Sequence, residues 1–137
     1  MSVLRTAVTA VALAATLASG AAAKELWKLP ISYPSGLPGI GEPLKDLVAT
    51  VNAADADIQM KMFEPGEIVP AYSVFDAVRE NKVSAGMVVM GYYGGTIPAG
   101  HLLFGVPFGL GPREYAGWYY QGEGKQLTDE LMHKNGI

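Results

Sequence analysis

The 137-residue sequence contains no cysteine. That absence excludes disulfide staples, thiolate nucleophiles and cysteine-ligated zinc together. Histidine is scarce as well, with only His101 and His133. Two histidines with no patterned carboxylates give no metal signature. His133 ends a helical pattern, where a cation suits the helix dipole. His101 stands in an apolar loop, where hydrogen-bonded packing is its ordinary use. Positive charge is sparse too. Ten Lys and Arg face thirteen Asp and Glu, a net charge of −3, which leaves no basic footprint for nucleic acid. Long apolar runs are missing. The stretch from Thr6 to Leu17 is too short to span a bilayer.

That short run fits a secretory leader. Arg5 supplies the positive n-region, Thr6 to Leu17 the apolar h-region, and Ala21-Ala22-Ala23 an A-x-A cleavage site. Residues 1–23 are expected to be a signal peptide removed before Lys24. The competing reading is a membrane-anchoring helix. No cysteine sits near the cleavage point to carry a lipid. The exported chain, 24–137, is expected in the periplasm, with no direct membrane insertion. Without Arg5, nine basic side chains face thirteen acidic ones, a net charge of −4.

Residues 25–33, ELWKLPISY, are rich in β formers and predict a first strand, interrupted or ended near Pro30. A loop of three glycines and three prolines follows. Leu44, Leu47, Val48 and Val51 then form one apolar helical stripe, with Pro43 in the first turn. Ile58, Met60 and Met62 alternate with Asp57, Gln59 and Lys61, the mark of a half-exposed strand at a sheet edge. Ala71, Val74, Phe75 and Val78 repeat the helical spacing. Val83 to Met90 is an apolar run that predicts a strand covered on both faces. Helices are expected over 112–121 and 124–134, the latter stopped by Asn135-Gly136. Short helices between strands imply parallel pairing and an α/β fold. The alternation calls for a further strand after Gly136, so the chain is expected to be a fragment. A small three-stranded domain is the alternative.

No catalytic constellation is present. Gly36, Gly39 and Gly41 lie between a strand and a helix, where they either cradle an anion or form a plain surface loop. Their spacing is not that of a dinucleotide or P-loop motif. Glu64 and Glu67 flank Pro65-Gly66 as a carboxylate pair or as solvated turn charges. The informative stretch is 88–109, VVMGYYGGTIPAGHLLFGVPFG, apolar and aromatic where loops are usually polar. Aromatics near the carboxyl end of a parallel strand lie where α/β folds place ligands. Phe104 and Trp118 are expected in the core. Tyr92 and Tyr93 are expected to line a cleft, beside a Gly94-Gly95 pair that lets the backbone swing.

Four segments in order resemble the N-terminal part of DctP-type substrate-binding proteins of tripartite ATP-independent periplasmic (TRAP) transporters. They are KELWKLPISYPSG, FEPGEIVPAYSVFDAVRENKVSAGM, YYGGTIPAGHLLFGVPFG and REYAGWYYQGEGKQLTDEL. The last two look like the subgroup that binds small monocarboxylates such as 2-oxo acids. The resemblance implies a periplasmic-binding-protein-like (type II-like) lobe, a parallel sheet with flanking helices, incomplete at its second lobe. It places Ser32, Tyr33, Tyr92, Tyr93 and Phe108 near the substrate. It also implies that the carboxylate-clamping Arg, and a metal ion bridging the substrate, belong to residues beyond Ile137. Arg5, Arg79 and Arg113 do not stand in that context. No cofactor is implied for this part of the chain.

The expected function is therefore capture of a small organic acid and delivery to the small and large TRAP membrane subunits. The alternatives are a solute receptor of an ATP-driven importer or sensor, and an exported α/β enzyme.

Overall fold

The computed structural model describes residues 24–54, 57–103 and 105–137. The expected leader, 1–23, and Phe104 lie outside them. Strands β1 (Glu25–Pro30) and β2 (Ile58–Phe63) pair in parallel, from Glu25 opposite Ile58 to Pro30 opposite Phe63. Helix α1 (Gly41–Ala53) makes the crossover between them. Its stripe is only partly inward: Leu44 is buried and Val48 packs beside it, but Leu47 is exposed. Leu44 joins Leu29, Ile31, Met60, Met62 and Ala85 in one apolar cluster. Each such side chain contributes roughly 1.5–3 kcal/mol on full burial.

β2 is an edge strand, as its alternation predicts, and α1 covers that edge. The Asn52 amide donates through Nδ2 to the Met60 carbonyl at 2.9 Å and accepts the Met60 N–H through Oδ1 at 2.7 Å. One side chain thus satisfies both backbone groups that a neighbouring strand would take. Edges left open in this way invite pairing with other chains.

The expected third strand is the main correction. Residues 83–89 run parallel to β1 on its other side, but only Ile31 and Met87 form a ladder bridge. Met87 N–H donates to Pro30 O at 3.0 Å, and Ser32 N–H donates to Met87 O at 2.9 Å. One step earlier, Ala85 N–H reaches Lys28 O at 3.3 Å. The reciprocal bond from residue 30 to Ala85 O cannot form, because proline has no N–H. Pro30 therefore reduces a strand to a single bridge. The segment is not covered on both faces either, since Met87 is exposed. Val88 and Val89 lead into a 3-10 turn, Met90–Tyr93, not a continued strand.

A 3-10 turn at Ala71–Ser73 leads into helix α2 (Val74–Arg79). Val74 and Phe75 are buried. The helix ends with Asn81 at φ 55, Asn81 N–H bonded to Val78 O and Lys82 N–H to Ala77 O. This is a Schellman stop with asparagine in the left-handed position. Gly86 lets α2 sit against the 83–89 segment. A Cβ there would lie 2.7 Å from Val74 Cγ1 and 2.8 Å from Val78 Cγ2.

Beyond the turn at 90–93 come α3 (Gly100–Leu103), α4 (Pro112–Gln121) and α5 (Gly124–Lys134). The bounds of α4 and α5 are those the sequence predicts. Asn135-Gly136 stops α5 by the same motif, with Gly136 at φ 85 and Ile137 N–H bonded to Met132 O. Leu131 and Met132 of α5 pack on a second cluster of Phe75, Met90, Tyr93 and Ile97. Tyr115 Oη donates to Leu103 O and ties α4 to α3.

Two measurements test this account. Asn52→Ala removes both edge bonds and is expected to cost about 1–3 kcal/mol in chemical denaturation. A change under about 0.5 kcal/mol, the usual size of a surface substitution, means water serves Met60 equally well. Burial, aided by the neighbouring Tyr119, raises the Tyr115 pKa. The folded state thus favours the neutral phenol. That contribution is fully present below the ordinary phenol range, about pH 10, and is lost as pH rises through the raised value. Stability is expected to fall in that alkaline window, less steeply in Tyr115→Phe. Identical alkaline profiles for the two proteins overturn the assignment.

Candidate functional site

The chain visits β2 on one side of β1 and then crosses to the 83–89 segment on the other. The order reverses at β1, and in open parallel sheets ligands bind where strand order reverses, beyond the carboxyl ends. Here those ends are Ser32-Tyr33 after β1 and the Met90–Tyr93 turn after the 83–89 segment.

The loops around this point are pinned. Ser32 Oγ donates to Ala71 O at 2.7 Å, fixing the turn before α2 to the end of β1. Ser35 N–H donates to Glu64 Oε2 at 3.0 Å, and Glu64 N–H donates to Glu67 Oε2 at 2.7 Å. The bonds from Ser35, with a smaller contribution from Lys45, hold the Glu64 carboxyl below the usual range. Glu64 and Glu67 therefore organise a turn and do not face each other as an acid–base pair. The glycine loop behaves similarly. Gly41 N–H, at the start of α1, donates to Leu37 O at 2.8 Å, so the loop occupies a donor that an anion would use.

The expected site residues divide. Ser32 and Tyr33 are both buried at the end of β1. Among the described residues the Tyr33 hydroxyl has no hydrogen-bond partner, and burial raises its pKa. Tyr92 is half exposed. Tyr93 is buried, its Oη accepting the Phe75 N–H at 3.1 Å and its ring 5.1 Å from that of Phe75. Two adjacent tyrosines thus take opposite roles, one facing solvent and one in the core. Phe108 is fully exposed at φ 61, in the loop between α3 and α4. No described hydrogen bond or ring contact ties it to Ser32 or Tyr92.

Gly94 is not a free pivot. A Cβ on it would lie 1.6 Å from His101 Nε2, so the imidazole rests on the glycine backbone. His101 is exposed and lies over this turn on one side. Tyr72, which no motif marks in the sequence, pairs with Tyr92 edge-to-face, with centroids 5.3 Å apart. Its signal was the i, i+3 spacing to Phe75, the partner of Tyr93. A separate apolar groove of 690 Å³ lies between Met87, Met90, Leu103, Tyr115, Tyr119 and Tyr120. Its volume suits a small ligand, but it gathers no charged group.

Comparison with known proteins bears on this arrangement. The chain is 31% identical, over 107 residues, to a monocarboxylate 2-oxoacid-binding periplasmic protein of Nostoc. That match covers 77% of this chain and 29% of the relative. A TRAP transporter solute-binding protein from Bordetella bronchiseptica, crystallised as a mixed-occupancy dimer with calcium and picolinate, superimposes with a TM-score of 0.75. It is 29% identical, over 81% of this chain and 33% of that one. A TRAP solute-binding protein from Pseudoalteromonas atlantica, with bound sodium and pyruvate, gives the same TM-score at 23% identity, over 81% of this chain and 34% of that one, and shows the fold alone. The chain thus spans about a third of the length of the relatives it matches. Residues 39–137, most of the sequence and the Met90–Tyr93 side of the site just described, match the DctP family, and the chain belongs to this family of bacterial extracellular solute-binding proteins, family 7.

Proposed function

We propose that the chain forms one wall of a periplasmic receptor that captures a small monocarboxylate of the 2-oxo kind and delivers it to the two membrane subunits of a TRAP transporter. The supporting observation is that the half-exposed Tyr92 follows the 83–89 segment and the buried Ser32 and Tyr33 follow β1, the two strand ends between which the order reverses. The names of the relatives supply the ligand class. Binding needs no bond-making residue, and the pinned loops suit a preformed wall more than a reactive centre. On this reading the apolar stretch after Tyr92 keeps water from the acid and strengthens contacts to its carboxylate. Phe108 and Tyr93 contribute less directly, Phe108 as an exposed flank and Tyr93 as the anchor that aims Tyr92.

Metal ions accompany the acids in the similar structures. Among the described residues no group of three or more His, Asp or Glu gathers where it could hold one. The described part of the chain does not fit a metal site, and no step is assigned to one here. No described helix is long and apolar enough to cross a membrane. Export by a cleaved leader completes the proposal.

Two experiments test it. Mass analysis of the periplasmic product is expected to show Lys24 as the first residue; a membrane-bound product retaining Met1 to Ala23 sinks the export reading. A single wall leaves the acid partly hydrated, so calorimetry on the full chain is expected to be silent. Ligand-observed NMR with millimolar pyruvate is expected to show contact, weakened by Tyr92→Ala without loss of melting temperature. Tyr93→Ala, by contrast, is expected to cost ~3–5 kcal/mol of stability. Contact unchanged in Tyr92→Ala places the site elsewhere.

A further inference from the structure

Two aromatic pairs join the start of α2 to the turn at 90–93. Phe75 and Tyr93 form the inner pair, buried, with the Tyr93 hydroxyl bonded to the Phe75 backbone. Tyr72 and Tyr92 form the outer pair, 69% and 48% exposed. The inner pair is explained by core packing. The outer pair is not, because both of its rings are largely open to water.

The backbone under Tyr72 is fixed. Its neighbour Ala71 accepts the Ser32 hydroxyl, so Tyr72 is held at the carboxyl end of β1. Tyr92 N–H is likewise spent on Val89 O at 2.9 Å, within its own turn. Among the described residues neither phenol oxygen of the outer pair has a hydrogen-bond partner. Two rings on two fixed backbones, both solvent-facing, present one edge and one face at the point where strand order reverses. A T-shaped pair offers a flat apolar wall with polar tips. That wall suits the carbon substituent of an acid and not its carboxylate, which needs donors or cations.

We infer that Tyr72 is a specificity-determining residue that, together with Tyr92, contacts the apolar substituent of the acid and favours 2-oxo monocarboxylates larger than pyruvate. This rests on the receptor reading above. Each added methylene against an apolar wall discriminates by about tenfold or more in an enclosed pocket. An open wall gives less per carbon, so three added carbons are expected to yield roughly tenfold in total.

The test is ligand-observed NMR on the full chain with pyruvate and 4-methyl-2-oxopentanoate as probes. Wild type is expected to bind the branched acid about tenfold more tightly than pyruvate. Tyr72→Ala is expected to remove that preference, weakening the branched acid far more than pyruvate, while Tyr72→Phe keeps it. Tyr72→Gln, which removes the ring but keeps a longer side chain than alanine, replaces the alanine variant if circular dichroism shows the latter unfolded. Equal wild-type affinity for the two acids, or an unaltered preference in Tyr72→Ala, overturns the role of Tyr72 alone. A parallel loss for both acids also overturns it, since that marks general packing. No contact with either acid in wild type overturns the receptor reading and this inference together.

Discussion

Everything described here hangs on β1 being paired along both edges. Its backbone bonds to β2 on one side, and Ile31 N–H continues that ladder to Phe63 O at 3.1 Å. Its other edge holds the 83–89 segment at Met87. Ile31 and Pro30 are fully buried as a result. A buried residue with unpaired backbone groups is costly, so pairing on both sides is a condition for placing Ile31 in the core. The same residue, Pro30, limits that pairing. It withholds one donor, and the third strand shrinks to a bridge. The end of β1 therefore lies next to the weakest ladder in the sheet.

That geometry explains how the aromatic residues sort. The 83–89 segment is freed from strand pairing after Met87 and curls into the turn at 90–93. A strand alternates its side chains between two faces, so Tyr92 and Tyr93 would diverge in either case. The turn adds a choice of which goes inward. Tyr93 can satisfy its hydroxyl on the free N–H at the start of α2, and it is the one buried. First-turn N–H groups of a helix lack intrahelical partners, so this bond meets a need on both sides.

Much of the fold was legible in local signals. Helix bounds at 112–121 and 124–134 followed from Pro112 and Asn135-Gly136, because caps and stops act within a turn. The parallel pairing of β1 and β2 followed from the intervening helix. The third strand was misread because the apolar run from Val83 carries no trace of Pro30, 53 positions earlier in the sequence. Proline's missing donor acts on whichever neighbour lies opposite, which is a tertiary fact. The site was legible only in part for the same reason. Tyr92 and Tyr93 stood out as a pair, but the sequence does not say which one finds Phe75. Tyr72 lies off the apolar stripe of Ala71, Val74, Phe75 and Val78, so no motif in the sequence marks it.

The wall that results is rigid where it is buried and adaptable where it is exposed. Ser32 bonds to Ala71 and Ser35 to Glu64, so the loops after β1 are tied to the loops that follow β2. Ordering such groups before a ligand arrives lowers the entropy that binding must offset. Tyr72 and Tyr92 are fixed at their backbones and touch edge-to-face, with both rings largely open to water. The buried Tyr33 hydroxyl stands between these two regimes, desolvated yet without a partner among the described residues. An unsatisfied hydroxyl of that kind costs about 1–3 kcal/mol. Its removal in Tyr33→Phe is therefore an expected gain in stability, and a loss only if the hydroxyl already has a partner in the folded chain.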